Sequence, residues 1–327
     1  MMRRRTALAL SVATAVVAWS VYQPPRELMA DSSAASAASA VPRVSPAPAA
    51  LGASGDVRMR FVRAGERVAF PLQVRGGIGG FTYQWMEVGA NSAADVARPV
   101  DSDTLLAPLQ PGFYELVLTR SGVAQRLEEP RLGVLVPFEL KLGATLNGYV
   151  IGRYPAEWSN EPDAKPDGFA EVRKAHLDLP LTRHLKVRDF VTHDAQTIWP
   201  RYAAIDERLL DKLELVMREL ARRRGQERLD FRINVSSGFR TPNHNSSVEG
   251  AARDSRHMYG DAADVVVDTD GDGRMTLVDA YRVEQAVEWV ERMHPELAGG
   301  LGVYDSRNFP TPYCHIDARG EAVRWRR

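Results

Sequence analysis

Disulfides are the first thing this chain cannot have. Of its 327 residues one is cysteine, Cys314, so no intramolecular bridge can form, and an oxidising compartment would be tolerated without being used for stability. Net charge is missing too: 42 lysines and arginines face 42 aspartates and glutamates, which leaves no global field to draw the chain to nucleic acid or to an anionic membrane. The N-terminal apolar run, Thr6 to Tyr22, falls short of the roughly 20 residues that a comfortable transmembrane helix needs. Between Asp31 and Gly55 large apolar side chains nearly vanish in favour of alanine, serine and proline, so that stretch has little to bury.

What is present divides the chain. Arg3, Arg4 and Arg5 ahead of the apolar run mark residues 1–30 as an export signal. It is either cleaved, with Leu28-Met29-Ala30 or Ala38-Ser39-Ala40 as small-residue sites, or kept as an N-terminal anchor. The expected location is the periplasm or cell envelope, with membrane contact only through such an anchor. Residues 31–56 read as a tether. From 57 to 138 short alternating runs, Val68 to Leu72, Phe81 to Trp85 and Phe113 to Leu118, are punctuated by Gly76-Gly77 and Pro111-Gly112, the pattern of a small all-β sandwich. Its stretch Leu109 to Leu116 resembles the turn and strand of immunoglobulin-like modules. Residues 139–180 read as an irregular connector. From Leu181 helix and strand signals alternate, giving an α+β domain over 181–327. Ile205, Leu209, Leu213, Val216 and Leu220 keep helical spacing, and Arg222, Arg223, Arg224 and Gly225 close that helix, as suits the negative end of its dipole. Leu229, Phe231, Ile233 and Val235 follow on one face of a strand.

The chemistry concentrates near the C-terminus. A catalytic zinc takes three protein ligands, imidazole or carboxylate among them, and keeps one open position. The segment Ser255-Arg256-His257-Met258-Tyr259-Gly260-Asp261-Ala262-Ala263-Asp264 offers one imidazole and one carboxylate across small residues that let the chain fold back. Asp264 opens the apolar strand Val265-Val266-Val267. The third ligand comes from Tyr313-Cys314-His315-Ile316-Asp317, where alternation puts Tyr313, His315 and Asp317 on one face and Cys314 and Ile316 on the other. Cys314 therefore reads as a small core side chain rather than a ligand. His176, His184, His193, His244 and His294 have no comparable context; His244, near Arg240, reads as a loop histidine, with cleft lining as the alternative.

The pattern Ser255-x-His257-x-x-Gly260-x-Ala262-x-Asp264, with Ser237-Gly238-Phe239-Arg240 before it and Gly300 to Tyr304, His315-Ile316-Asp317 and Val323-Arg324-Trp325 after it, resembles the zinc D-Ala-D-Ala carboxypeptidase and murein endopeptidase family. That family shares its fold with the hedgehog signalling domain. The resemblance covers residues 181–327 and implies zinc on His257, Asp264 and His315, substrate contacts from Arg240 and Ser255, and peptidoglycan stem peptides as partners. For Arg240 a buried salt bridge behind the site is the alternative. Many relatives carry a catalytic glutamate three positions before the last histidine, where this chain has Pro312. Asp317, on the face of His315, is the candidate base in its place, with orientation of a ligand as its other role.

A second cation signal lies at 268–279. Asp268, Asp270, Asp272, Arg274 through its carbonyl, Thr276 and Asp279 fall at positions 1, 3, 5, 7, 9 and 12 of a calcium loop, with Gly273 at the turn position. Aspartate at the last position resembles dockerin loops and points to a structural ion. The expected function is zinc-dependent hydrolysis of cross-link or terminal peptide bonds in the cell wall. The rivals are a non-catalytic wall-binding protein that keeps the fold, and a scaffold-docking module, which would need a second loop.

Overall fold

The computed structural model describes residues 44–46, 51–69, 72–74, 79–158, 165–226, 233–305 and 311–327. The export signal, most of the tether, Phe70-Pro71, Gly76-Gly77, Leu229 and Phe231 lie outside the described residues. The described residues form one compact unit. The chain is mixed α+β, several sheets with few helices.

The N-terminal part is built on strands β1 (Met59–Val62), β2 (Thr82–Glu87), β3 (Arg98–Pro99), β4 (Gly112–Arg120) and β5 (Val123–Val134). They form one sheet in the order β1-β5-β4-β2-β3. Alternation sorts its side chains. Val62, Tyr83, Trp85, Leu116, Leu118 and Leu132 fill a local core, whereas Met59 and Phe113 belong to the larger core of the C-terminal part. Phe113 meets His176 edge-on at 4.9 Å between ring centroids.

Residues 139–180, expected as an irregular connector, contribute to that larger core. Tyr149, Ile151, Tyr154 and Phe169 are fully buried. Strand β6 (Gly168–Val172) pairs antiparallel with β7 (Arg201–Ala203). Elements this short have no periodicity to read, so the sequence pattern could not show them.

The functional end is a five-stranded sheet of β8 (Ile233–Ser237), β9 (Ala262–Val267), β10 (Gly300–Tyr304), β11 (Tyr313–Asp317) and β12 (Val323–Arg326). Its order is β8-β9-β11-β10-β12. Helix α3 (Leu277–Met293) packs against it and against α1 (Glu207–Arg223), with the single-turn α2 (Pro242–Asn245) between the two in sequence. Val265, Val267, Leu301, Val303, Cys314 and Ile316 share the main core with Val283, Val287 and Val290 of α3. At about 25 cal/mol per Å² of apolar surface, burying each such side chain is worth roughly 1.5–3 kcal/mol before its entropy cost.

Helix α1 starts where Asp206 accepts from the Arg208 N–H at 2.8 Å, an N-cap bond. Its apolar stripe is buried as the spacing requires, but so are Asp211, Lys212, Glu214 and Glu219. Each has a partner: Asp211 accepts from the Ala53 and Ser54 N–H groups at 2.8 Å each, Lys212 reaches Glu291 at 2.7 Å, and Glu214 takes the His184 N–H at 3.0 Å. Glu219 holds Arg222 and Arg223. Buried charge is tolerated only with such pairing.

Candidate metal centre

Three segments bring the site together. A 3-10 turn over Arg256–Tyr259 presents His257 and ends at Gly260, whose φ of +79° is left-handed. A side chain at Gly260 would collide with the Ala204 carbonyl, so glycine is required both for the turn and for the close approach. The chain then runs into β9, where Asp264 stands in register opposite His315 of β11 on one side and Ser237 of β8 on the other.

This register closes a donor triangle. His257 Nε2 lies 3.2 Å from Asp264 Oδ1 and 3.2 Å from His315 Nδ1, and His315 Nδ1 lies 3.0 Å from Asp264 Oδ1. All three residues are buried. The outer nitrogens fix which atoms face inward. His257 Nδ1 is 2.7 Å from the Gly238 carbonyl, which can only accept, so Nδ1 carries the proton and Nε2 turns its lone pair to the centre. His315 Nε2 donates to Asp317 Oδ2 at 3.1 Å, leaving Nδ1 to face inward. Tetrahedral zinc bonded at about 2.0–2.2 Å separates its donors by about 3.3 Å. The triangle therefore has the spacing and the donor chemistry of a three-ligand zinc site.

Burial lowers the pKa of His257. In His315 burial acts the same way but is outweighed by the bonds to Asp264 and Asp317, and its pKa is raised. Burial alone would raise Asp264, yet the facing imidazoles hold its carboxyl well below the usual range. A cation entering the triangle displaces the proton that Asp264 favours on His315, so binding and proton release are coupled.

Asp317 stands behind His315, away from the centre of the triangle. It is fully buried behind His315 and accepts from His315 Nε2, from the Gly300 N–H at 2.7 Å and from Arg319 Nε at 2.9 and 3.0 Å. A carboxylate bonded in this way, on the far edge of the imidazole, is placed to orient His315, the second of the two roles the sequence left open. Lys212 Nζ donates to the Asp317 carbonyl at 2.6 Å, tying this support to α1.

Arg240 sits on the other flank. Its Nε donates to Ser237 Oγ at 2.6 Å and its Nη2 forms an ion pair with Asp264 Oδ2. The salt-bridge alternative is thus realised, and a substrate contact is left to the remaining Nη1. Ser255 is buried, its carbonyl taking the Met258 N–H at 2.9 Å, and no side-chain cap bond is made. Pro312 is buried one residue before β11. Cys314 faces the core, burial pushing its thiol up to about 12, which keeps it protonated.

Residues the sequence named without a role complete the site. Trp325 of β12 lies across Gly302, where any Cβ would strike the indole, and packs on His315 at 5.1 Å between centroids. Tyr304 and Tyr313 stack at 4.4 Å, and Trp325 Nε1 donates to the Tyr304 hydroxyl at 2.9 Å. The terminal Val323-Arg324-Trp325 was a signal for this wall; nothing local marked Arg319 or Lys212.

In the acidic loop Asp268, Asp270 and Asp279 bring one oxygen each within 4.8 Å, and Asp272 is not in that group. Asp272 Oδ1 accepts the Arg274 N–H at 2.8 Å. Asp279 is fully buried and closes a capping box with Thr276, the N-cap of α3, accepting from Thr276 Oγ1 at 2.7 Å and from the Thr269 N–H at 3.1 Å, so the Thr276 hydroxyl is spent on Asp279. Arg282 Nη1 lies 3.0 Å from Asp270 Oδ2 and 3.4 Å from Asp279 Oδ1.

No curated protein matches the chain. Residues 201–307, about a third of it, match the family model described as Peptidase M15. The M15 family is zinc-dependent, and the matched stretch includes His257 and Asp264, with His315 just beyond it. In this segment the chain is similar to M15 peptidases, and the match together with the donor triangle supports a metallopeptidase.

Proposed function

We propose that the chain is an exported zinc peptidase that hydrolyses peptide bonds of peptidoglycan stem peptides in the cell envelope. The convergence of three inward-facing donor atoms from His257, Asp264 and His315 carries this reading. The chemistry a bound zinc supplies is activation of water at neutral pH and polarisation of the scissile carbonyl. The protein's own part is positional. Asp317 and Gly238 hold the two imidazoles in one tautomer and orientation. Arg240 neutralises the second oxygen of Asp264 and keeps its guanidinium at the edge of the site. Trp325 packs against the His315 ring and is itself held by the Tyr304 hydroxyl.

Pro312 in the place of a glutamate favours the rival reading of a wall-binding protein without catalysis. Among the described residues no acidic side chain other than Asp264 joins the donor triangle. Digestion of purified peptidoglycan by zinc-loaded protein, with and without chelator and with fragments identified by mass, separates the two. New stem-peptide fragments that vanish with chelator support the peptidase; retention of the protein on intact wall without fragments supports the binder.

A structural calcium in the loop 268–279 is proposed with it, on the spacing of the sequence and the approach of Asp268, Asp270 and Asp279. Arg282 is the competing internal cation. The β-rich part from 57 to 138 is proposed to space the peptidase from its tether.

A further inference from the structure

Next to the turn that presents His257 lies a cavity of 690 Å³ in which none of His257, Asp264 and His315 takes part. Arg256, Tyr259 and Asp261 of that segment form one of its walls, and Phe61 and Leu135 of the β-rich part form another. The start of α1, with Asp206, Glu207 and Arg208, closes it. Its volume falls within the about 300–1,000 Å³ of sites for small ligands.

The charges that line it are matched in pairs, with one exception. Asp206 holds Arg208 at 2.7 Å and Asp261 holds Arg256, while Asp167 is paired with Arg63 at 2.5 Å and Lys165 with Glu139 at 3.0 Å. Glu207 has no ionic partner among the described residues. Its Oε1 accepts the Phe61 N–H at 2.6 Å, and its Oε2 makes no hydrogen bond among the described residues. The charges that face it beyond those pairs are Arg60 and Glu66 of the β-rich part. The Phe61 bond and Arg60 favour the ionised form, Asp206 and Glu66 oppose it, and burial outweighs them all, raising the carboxyl to about 7.

A carboxylate drawn out of water is costly unless a cation answers it, so the group this cavity lacks is a cation that a ligand brings. That cation is organic, because Glu207 joins neither set of side chains close enough to hold a metal ion. Phe61, Leu135 and Ile205 add apolar surface to the same cavity, which suits an ammonium carried on an alkyl stem.

We propose that this cavity binds the side-chain ammonium of a diamino residue, with Glu207 as its counter-ion and the apolar wall against its methylenes. In peptidoglycan that amine is free on stem peptides not cross-linked through it and is an amide where they are, so the cavity holds uncross-linked stem peptides, away from the metal centre. The choice of stem peptide rests on the peptidase reading above; the ammonium site does not. The test titrates the full zinc-loaded chain by calorimetry with three probes: a stem tripeptide ending in lysine, the same peptide acetylated on its side-chain amine, and pentane-1,5-diamine. At pH 8 the free amine is expected to bind at least about tenfold tighter than the acetylated peptide, as for a charge-assisted hydrogen bond. Glu207→Gln, which keeps the acceptor for Phe61, should remove that preference. Lowering the pH from 8 to 6 should cut it by about tenfold, because the carboxyl gains a proton and the ammonium loses its counter-charge. No binding of any probe, equal binding of the two peptides, or a preference that survives in Glu207→Gln overturns the assignment. Binding of the diamine, lost in Glu207→Gln, with neither peptide bound upholds the ammonium site and overturns stem peptides as its source. Selective binding of the free amine by a chain that releases no fragments from peptidoglycan upholds the cavity and removes the peptidase reading instead.

Discussion

At the residue scale the three proposed ligands were legible because each sits in a local pattern: a histidine and an aspartate around small residues, and a histidine in an alternating strand. Alternation also put Asp317 on the right face, but a shared face does not say which atom is bonded, and only the 3.1 Å contact to Nε2 shows that Asp317 stands behind the imidazole. The two roles predict different defects. His257→Ala, Asp264→Ala and His315→Ala should each abolish zinc retention, read by elemental analysis of purified protein, because each removes one of three ligands. Asp317→Asn should keep the fold and weaken zinc affinity by about 10-fold to 100-fold, as loss of an orienting partner does. Unchanged zinc affinity in that variant, measured by competition with a chelating dye, would return Asp317 to the list of bases.

At the scale of elements, periodicity gave α1 and its basic C-terminal close but neither its N-cap Asp206 nor its buried charges. The partners of Asp211 and Lys212 lie far along the chain, at Ala53 and Ser54 and at Glu291 and Asp317, and no window of sequence shows them. Lys212→Met should therefore destabilise the protein by about 3–5 kcal/mol, the cost of stranding a buried partner, with chemical denaturation as the readout. A shift below about 1 kcal/mol would mean that Arg324, which also pairs with Glu291, suffices. The acidic loop tests a second element. If calcium binds at 268–279, titration from chelator to millimolar calcium raises Tm in the wild type and not in Asp270→Ala, by an amount equal to about 2.7 kcal/mol at a hundredfold excess over Kd. An unmoved Tm leaves Arg282 as the loop's own cation.

At the scale of the molecule, the sequence pointed to two parts joined by a connector, whereas the described residues of the connector contribute to the larger core. The junction has its own titratable group. Glu207, at the start of α1, accepts the Phe61 N–H of β1 at 2.6 Å, and burial raises its carboxyl from 4.5 to about 7. A raised folded-state pKa contributes stability that is full below the unfolded value near 4.5, is lost as pH rises to about 7, and is absent above it. Glu207→Gln keeps the acceptor and removes the charge, so it should gain roughly 1–3 kcal/mol at pH 8 and nothing at pH 4.5. Melting curves of both proteins at the two pH values check the sign.

The central claim is that His257, Asp264 and His315 hold a zinc ion that makes the chain a peptidase. Its most direct test is one preparation assayed twice, for zinc per chain and for release of stem-peptide fragments from purified peptidoglycan, before and after chelation and again after zinc is restored. The account predicts one zinc per chain, hydrolysis lost with the metal and regained with it, and neither in His315→Ala. Zinc bound with full stoichiometry by His315→Ala, or hydrolysis indifferent to chelator, would contradict it.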